Sequence, residues 1–173
     1  MICLAKNWEK VNLTDAFWFQ EGPGIRNWQF TSSGVKFIRG ANIFETGNVI
    51  LSEEDRYISE EEAYGKYKHF LVDSGDLVIA SSGISFDSNN LLRVKSGFIS
   101  QAHLPLCLNT GVIRFKAKSD ISDLKFLKYW FYSFEFKQQI KTFVTGIAQQ
   151  HFGPSHLEVI RISLPPIAEN PLH

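Results

Sequence analysis

Arg26-Asn-Trp-Gln29 packs a guanidinium, two side-chain amides and an indole into four consecutive residues. An Arg can grip both acceptors on the major-groove edge of guanine, and Asn or Gln can do the same for adenine. Ser81, Ser82 and Ser85 follow an apolar run, and Gln149-Gln150-His151 follows a long aromatic segment. Lys36 and Arg39 bracket a short apolar stretch, and with the serines they are residue types that hold phosphates. Each group alone is also what a solvated loop carries, and Arg39 can equally be a structural ion-pair partner.

Catalytic constellations are harder to find. There is no glycine-rich phosphate loop, HExxH, paired CxxC or GxSxG. His103 and Cys107 are four apart, but Pro105 lies between them, and a metal needs three or four ligands. Leu164-Pro-Pro-Ile167 has the outline of an amino-methyltransferase motif. Leu164 nevertheless offers no acceptor for a target amine, and Ile167 cannot stack on an extruded base. Asp120 and Glu135-Phe-Lys137 mimic nuclease spacing. On one continuous helix their carboxylates would stand about 22 Å apart, too far to share a metal. Glu60-Glu61-Glu62 has a simpler use, because Ser59 and Glu62 form a capping box. No catalytic residue, metal site or cofactor is expected.

The elements that must position the polar residues follow from periodicity. Trp8 to Phe19 reads as a lead-in strand, and Glu21-Gly-Pro-Gly-Ile25 as a turn. Gly34–Arg39 alternates, which directs Val35 and Phe37 inward and Lys36 outward. A helix is predicted near Glu60–Lys68. Asp73-Ser-Gly-Asp76 makes a tight turn into Leu77-Val-Ile-Ala80, a buried strand. Phe98–Ile99, Leu104–Leu108 and Gly111–Lys116 give further strands. Leu124, Leu127, Phe131, Phe134, Ile140, Phe143 and Val144 recur at helical spacing, which predicts one long helix with Asp120 and Asp123 near its start and Gly146 at its end. Ile160–Leu164 reads as an edge strand closed by two prolines. The fold class expected is α+β: a mixed, mostly antiparallel sheet or partial barrel with a few helices.

Fifteen Phe, four Trp and five Tyr among 173 residues supply one well-filled core, so a single domain is expected over 1–173. Cys3 and Cys107 are far apart, no signal peptide opens the chain, and no apolar run is long enough to span a bilayer. Cytoplasmic location and no membrane partner are the expectations. Net charge is zero, but it is unevenly spread. Glu45 to Glu62 holds seven acids and one base, whereas 88–119 holds no acid but Arg93, Lys95, Arg114, Lys116 and Lys118. A neutral total can therefore conceal a basic face.

With these blocks in view, the sequence resembles the target-recognition domains of type I restriction–modification specificity subunits. Gly34-Val-Lys-Phe-Ile-Arg-Gly-Ala-Asn-Ile43 with Gly47 is similar to their early segment, and Trp8-Glu-Lys-Val-Asn-Leu13 to their opening. Ser59–Ala63, then Val72-Asp-Ser-Gly-Asp-Leu-Val-Ile-Ala80 with Gly83, Gly146-Ile-Ala-Gln-Gln150 and Ile162–Glu169 follow in the family's order. The resemblance spans about 8–169, which leaves 170–173 as a tail. It implies a non-enzymatic mixed α/β module that reads a few base pairs, one half of a split target in double-stranded DNA. In the family, modification (methyltransferase) subunits methylate and motor-nuclease subunits cut. The family's long spacer helix should follow Glu169, yet the sequence stops at His173. A single reading head without spacer or second domain is the expectation. The alternatives are a remnant or decoy that docks on modification subunits, and a small enzyme with an unrecognised site.

Overall fold

A computed structural model of the chain describes residues 7–118, 122–144 and 150–166. Its strands and short helices make an α+β fold built on three small sheets, with antiparallel pairing everywhere except one pair. None of the sheets closes into a barrel.

The lead-in segment is not one strand. It divides into strand β1 (Glu9–Asn12), one helical turn α1 (Leu13–Ala16) and strand β2 (Phe17–Glu21). The Asn12 N–H donates to Asp15 Oδ2, and the turn places Leu13 and Ala16 in the core. This acceptor three residues ahead recurs. Gln29, Asn42, Asp55, Asp76, His103 and His156 each accept from the backbone N–H three positions earlier. Tight turns thereby satisfy donors that no ladder reaches.

Strand β3 (Val35–Phe37) pairs antiparallel with β4 (Tyr57–Ile58), a strand the sequence pattern does not announce. Val35 and Phe37 are buried, as the alternation requires. Helix α2 (Glu60–Tyr64) starts where expected and ends early, at Gly65, and Lys68 falls in a separate 3-10 turn, Lys68–Phe70. Ser59 Oγ accepts the Glu62 N–H, but the Glu62 carboxylate accepts from Gln29 Nε2 at 3.1 Å. The capping box is therefore half formed, because a distant amide holds Glu62.

Strands β5 (Leu77–Ala80), β6 (Ser96–Phe98), β7 (Leu106–Cys107) and β8 (Val112–Ala117) complete the centre. The main sheet has the order β2-β8-β5-β6, and β3 joins β4 and β7 in a second sheet, β7 running parallel to it. Leu77 and Ile79 face one core cluster and Val78 and Ala80 another, so β5 is covered on both faces and needs no polar alternation.

The predicted long helix is two helices, α3 (Leu124–Trp130) and α4 (Phe134–Val144). The N–H groups of Tyr132 and Ser133 fold back to the carbonyls of Tyr129 and Trp130, and Ser133 Oγ then accepts the Phe136 N–H. That hydroxyl starts a new helix in a new direction. Phe126, Leu127, Trp130, Phe131, Phe136 and Ile140 still reach the main core, where Phe131 and Phe136 rings are 4.9 Å apart. Asp120, Gly146 and Cys3 lie outside the described residues. Helix α5 (Pro154–Leu157) leads to β9 (Arg161–Leu164), which pairs with β1. Gln139 on α4 both donates to and accepts from the Arg161 backbone, at 2.8 and 2.9 Å, which satisfies the other side of this edge strand.

Candidate nucleic-acid interface

Strand order and direction bring separate loops to one end of the fold. β2 leaves the main sheet at Glu21 opposite Ile113, and β5 leaves at Ala80 opposite Val112, where β8 begins. β3 and β7 run parallel toward the same end, and the Ile38 N–H donates to the Cys107 carbonyl. The segments beyond these points touch. Thr110 N–H reaches Pro23 O at 2.9 Å, Gly111 N–H reaches Glu21 Oε1 at 3.1 Å, and Ser81 N–H reaches Gly111 O at 2.8 Å. Ser82 forms an antiparallel bridge with His151, and Phe152 N–H donates to Ser81 O. A Cβ on Gly40 would lie 3.7 Å from Ser82 O. Gly111 has φ +81°, and a Cβ there would overlap the Ser82 hydroxyl, so this crossing needs glycine.

Of the residues singled out by type, Ser81, Ser82 and His151 meet at this crossing with Arg39 directly before Gly40, and the Arg26–Gln29 turn follows the Pro23 contact and is anchored on Glu62 and Tyr67. Arg26, Asn27 and Trp28 project outward, Trp28 being 79% exposed. Among the described residues the Arg26 guanidinium has no hydrogen bond or ion pair. Gln29 is buried. Its carbonyl oxygen accepts the Arg26 N–H at 2.9 Å, and its amide donates to Glu62 and to the Tyr67 hydroxyl at 2.7 Å. Gln29 thus holds the turn that presents its three neighbours. Ser81 is also fully buried and anchors through its backbone, whereas Ser82 and Ser85 are exposed. Gln150 and His151 are exposed beside Ser82, and Gln149 lies outside the described residues.

Lys36 and Arg39 are tied to an acid. Lys36 Nζ donates to Ser52 O at 2.7 Å, and Arg39 Nη2 lies 3.6 Å from the buried Asp55 carboxylate. Arg39 keeps 39% of its side chain exposed, directly before the Gly40 crossing. Burial works to raise the Asp55 carboxyl. The Ser52 N–H, the Asn42 amide and the charges of Lys36 and Arg39 outweigh it and hold Asp55 below its ordinary 3.8. Asp73 is also held low, first by its hydrogen bond from Lys116. Both carboxylates therefore stabilise the fold fully above about pH 4, and this support is lost as pH falls through their depressed folded-state values. Urea midpoints should stay flat from pH 7 to about 4.5 and fall steeply below. Asp55→Asn should flatten that fall, and an unchanged acid slope would contradict the assignment.

The basic run through 88–119 does not form one face. Arg114 is buried and bound to Asp76, and Lys116 is paired with Asp73 and Asp76. Lys118 donates to Thr14 O, and Arg93 lies 3.8 Å from Glu45. What sequence reasoning missed is the Asn109-Thr-Gly111 turn, which joins the cluster. Its signal was an Asn and a Gly flanking a Thr just before an apolar strand.

His103 and Cys107 are not paired ligands. His103 Nδ1 accepts the Ser100 N–H, so its Nε2 carries the proton and donates to Val49 O at 2.9 Å. Burial pushes the Cys107 thiol up to about 12. Among the described residues no three His, Cys, Asp or Glu side chains group as a metal would require, and no helix is long and apolar enough to cross a membrane.

The loops at this sheet end present polar and aromatic side chains to solvent. The family of the type I restriction modification DNA specificity domain matches residues 5–172, and the chain belongs to it. It is 27% identical over 166 residues to the type I restriction enzyme MjaVIII specificity subunit of Methanocaldococcus jannaschii. To the EcoAI specificity subunit of Escherichia coli it is 24% identical. Both alignments cover 96% of this chain, but the chain spans only 37% and 27% of those relatives. The HsdS subunit from Thermoanaerobacter tengcongensis shares the fold, with a TM-score of 0.60 at 15% identity over 96% of this chain and 35% of that one.

Proposed function

We propose that this domain reads a short sequence in duplex DNA through the loop end of its sheets, as one recognition unit of a type I restriction–modification specificity subunit. The observation that carries the reading is the meeting of Ser82 with His151 beside Gly40, the residue after Arg39, with the exposed Arg26–Trp28 turn three residues past the Pro23–Thr110 contact, in a chain of the DNA specificity domain family. Arg26 and Asn27 supply base-edge donors, and Trp28 supplies a flat apolar surface for a thymine methyl or an unstacked step. Arg39, Ser82 and Ser85 are suited to phosphates. Lys36 and Gln29 position the loops, and no step of bond making is assigned to the domain. Within this reading the target is one half of a bipartite site, and modification and motor-nuclease subunits in the cytoplasm act on what it selects.

Selection from a random duplex library at low salt tests this. One short enriched motif is expected, with each mismatch costing about 1–3 kcal/mol and affinity falling steeply as salt rises. No enriched motif, together with binding indifferent to salt, overturns the reading.

A further inference from the structure

Helix α3 carries two stripes. Phe126, Leu127, Trp130 and Phe131 turn into the core, and Lys125, Lys128, Tyr129 and Tyr132 turn out, at i, i+3, i+4 and i+7. The outward four and Phe98 of β6 line a depression of about 280 Å³ that contains no acid. Tyr129 is 67% exposed and Tyr132 39%, large rings left in water where the opposite face of the same helix is fully packed. Lys128 Nζ lies 5.5 Å from the centre of the Phe98 ring and 3.4 Å from Gly47 O, so its position is fixed although it makes no ion pair among the described residues. Lys125 also has no ion pair among the described residues, and the nearby Asp123 carboxylate is engaged by the Lys125 backbone N–H at 2.7 Å.

This stripe is continuous with the loop end. The Tyr132 hydroxyl donates to Glu45 O at 3.5 Å, the Glu45 carboxylate faces Arg93, and the Arg93 N–H donates to Ser85 O at 2.9 Å. Two ammonium groups with no ion pair among the described residues and the phenolic donor of Tyr129 are phosphate-binding chemistry without base selectivity. Duplex DNA carries a backbone charge about every 1.7 Å, so a duplex gripped by the loops offers phosphates to any basic surface beside them.

We propose that the α3 stripe is a second, sequence-independent contact for the phosphodiester backbone of duplex DNA, flanking the bases read by the loops. The proposal rests on the DNA-reading function above. It assigns Lys125 and Lys128 to phosphate charge and Tyr129 to phosphate hydrogen bonding, with Tyr132 held back by Glu45 O.

The test compares the full chain with Lys125→Gln, an exposed side chain, and with Lys125→Gln/Lys128→Gln, whose melting temperature is checked because Lys128 also contacts Phe98 and Gly47. Fluorescein-labelled duplexes are titrated over a series of salt concentrations, one carrying the selected motif and one of equal length lacking it. For the double variant the log–log salt slope should become shallower by about 1.8, and by about half that for the single variant. Affinity at 0.1 M salt should fall by roughly ten-fold or more. The loss should be equal for both duplexes, and the selected motif should be unchanged. A wild-type chain that selects a motif while the double variant keeps its salt slope overturns the stripe and leaves the loop reading standing. The stripe falls in the same way if the double variant loses its motif preference. A wild-type chain with neither motif nor salt dependence overturns both proposals together.

Discussion

Asp76→Ala is expected to destabilise the domain by about 3–5 kcal/mol, and to lower its melting temperature by roughly 6–20 °C for a chain of this size. Arg114 is 5% exposed, and its Nη1 lies 3.1 Å from Asp76 Oδ2. The rest of the guanidinium is spent on neutral groups: the carbonyls of Leu71 and His69 and the Gln20 amide oxygen. Trp18 covers it, with the ring centre 5.2 Å away. Truncating Asp76 removes the only buried counter-charge among the described residues and also takes the acceptor of the Asp73 N–H. Asp73 cannot substitute, since it is 3.9 Å from Arg114 and its side chain is 68% exposed. Asp76→Asn keeps an acceptor for the turn and should cost less. Replacing the pair together, Arg114→Met with Asp76→Ala, should recover part of the loss, because no unpaired charge then remains inside. Thermal and urea unfolding followed by circular dichroism measure all three. If Asp76→Ala melts within 2 °C of the wild type, the ion pair is not what holds this end of β5 to β8.

That pair also marks where the sequence stops being legible. Leu77–Ala80 is apolar at every position, and a strand covered on both faces explains it without further knowledge. Val35 and Phe37 follow the same logic on one face. Arg114 looks like part of a basic surface because its neutralising partner is 38 residues away in the chain, and nothing local distinguishes Asp76 from a turn acid. The same limit applies to Gln29. Its type predicts base-reading chemistry, but Glu62 and Tyr67 claim its amide and turn it inward. Apolar spacing fails differently between Leu124 and Val144. It reports which side chains face the core, and Phe131 and Phe136 both do. It does not report which amide each carbonyl meets, and the break at Ser133 shifts the register: Phe134, on the predicted stripe, is 66% exposed and Phe136 takes the core position. An in-register Ser was the sole local signal. The loop end was legible as residue types but not as a site, because its unity comes from strand pairing between residues about 90 apart.

Arg26→Ala and Trp28→Ala should each weaken binding to the selected duplex by about ten- to a hundred-fold, while leaving the melting temperature within about 1 °C. Both side chains project from a turn whose backbone is already fixed by the Gln29 amide, so little ordering entropy is lost when DNA arrives. The two losses should differ in kind. An Arg on a base edge specifies that base, so Arg26→Ala should blur the enriched motif at one base pair. Trp28 contributes apolar contact or stacking, so Trp28→Ala should lower affinity with a broader loss of preference, and Trp28→Phe should restore part of it. Trp28 is the most exposed of the tryptophans, with Trp18 half-covered and Trp130 buried. Its emission should therefore be quenched when the motif duplex is added, and that change should vanish in Trp28→Phe. Gln29→Ala separates positioning from contact: it should lower both stability and affinity, because it frees the turn rather than removing a group that touches DNA. Wild-type affinity and an unblurred motif in both alanine variants would move the reading site away from this turn. Base recognition would then have to come from the Ser82 and Gln150–His151 segments, which meet each other at the end of the sheet.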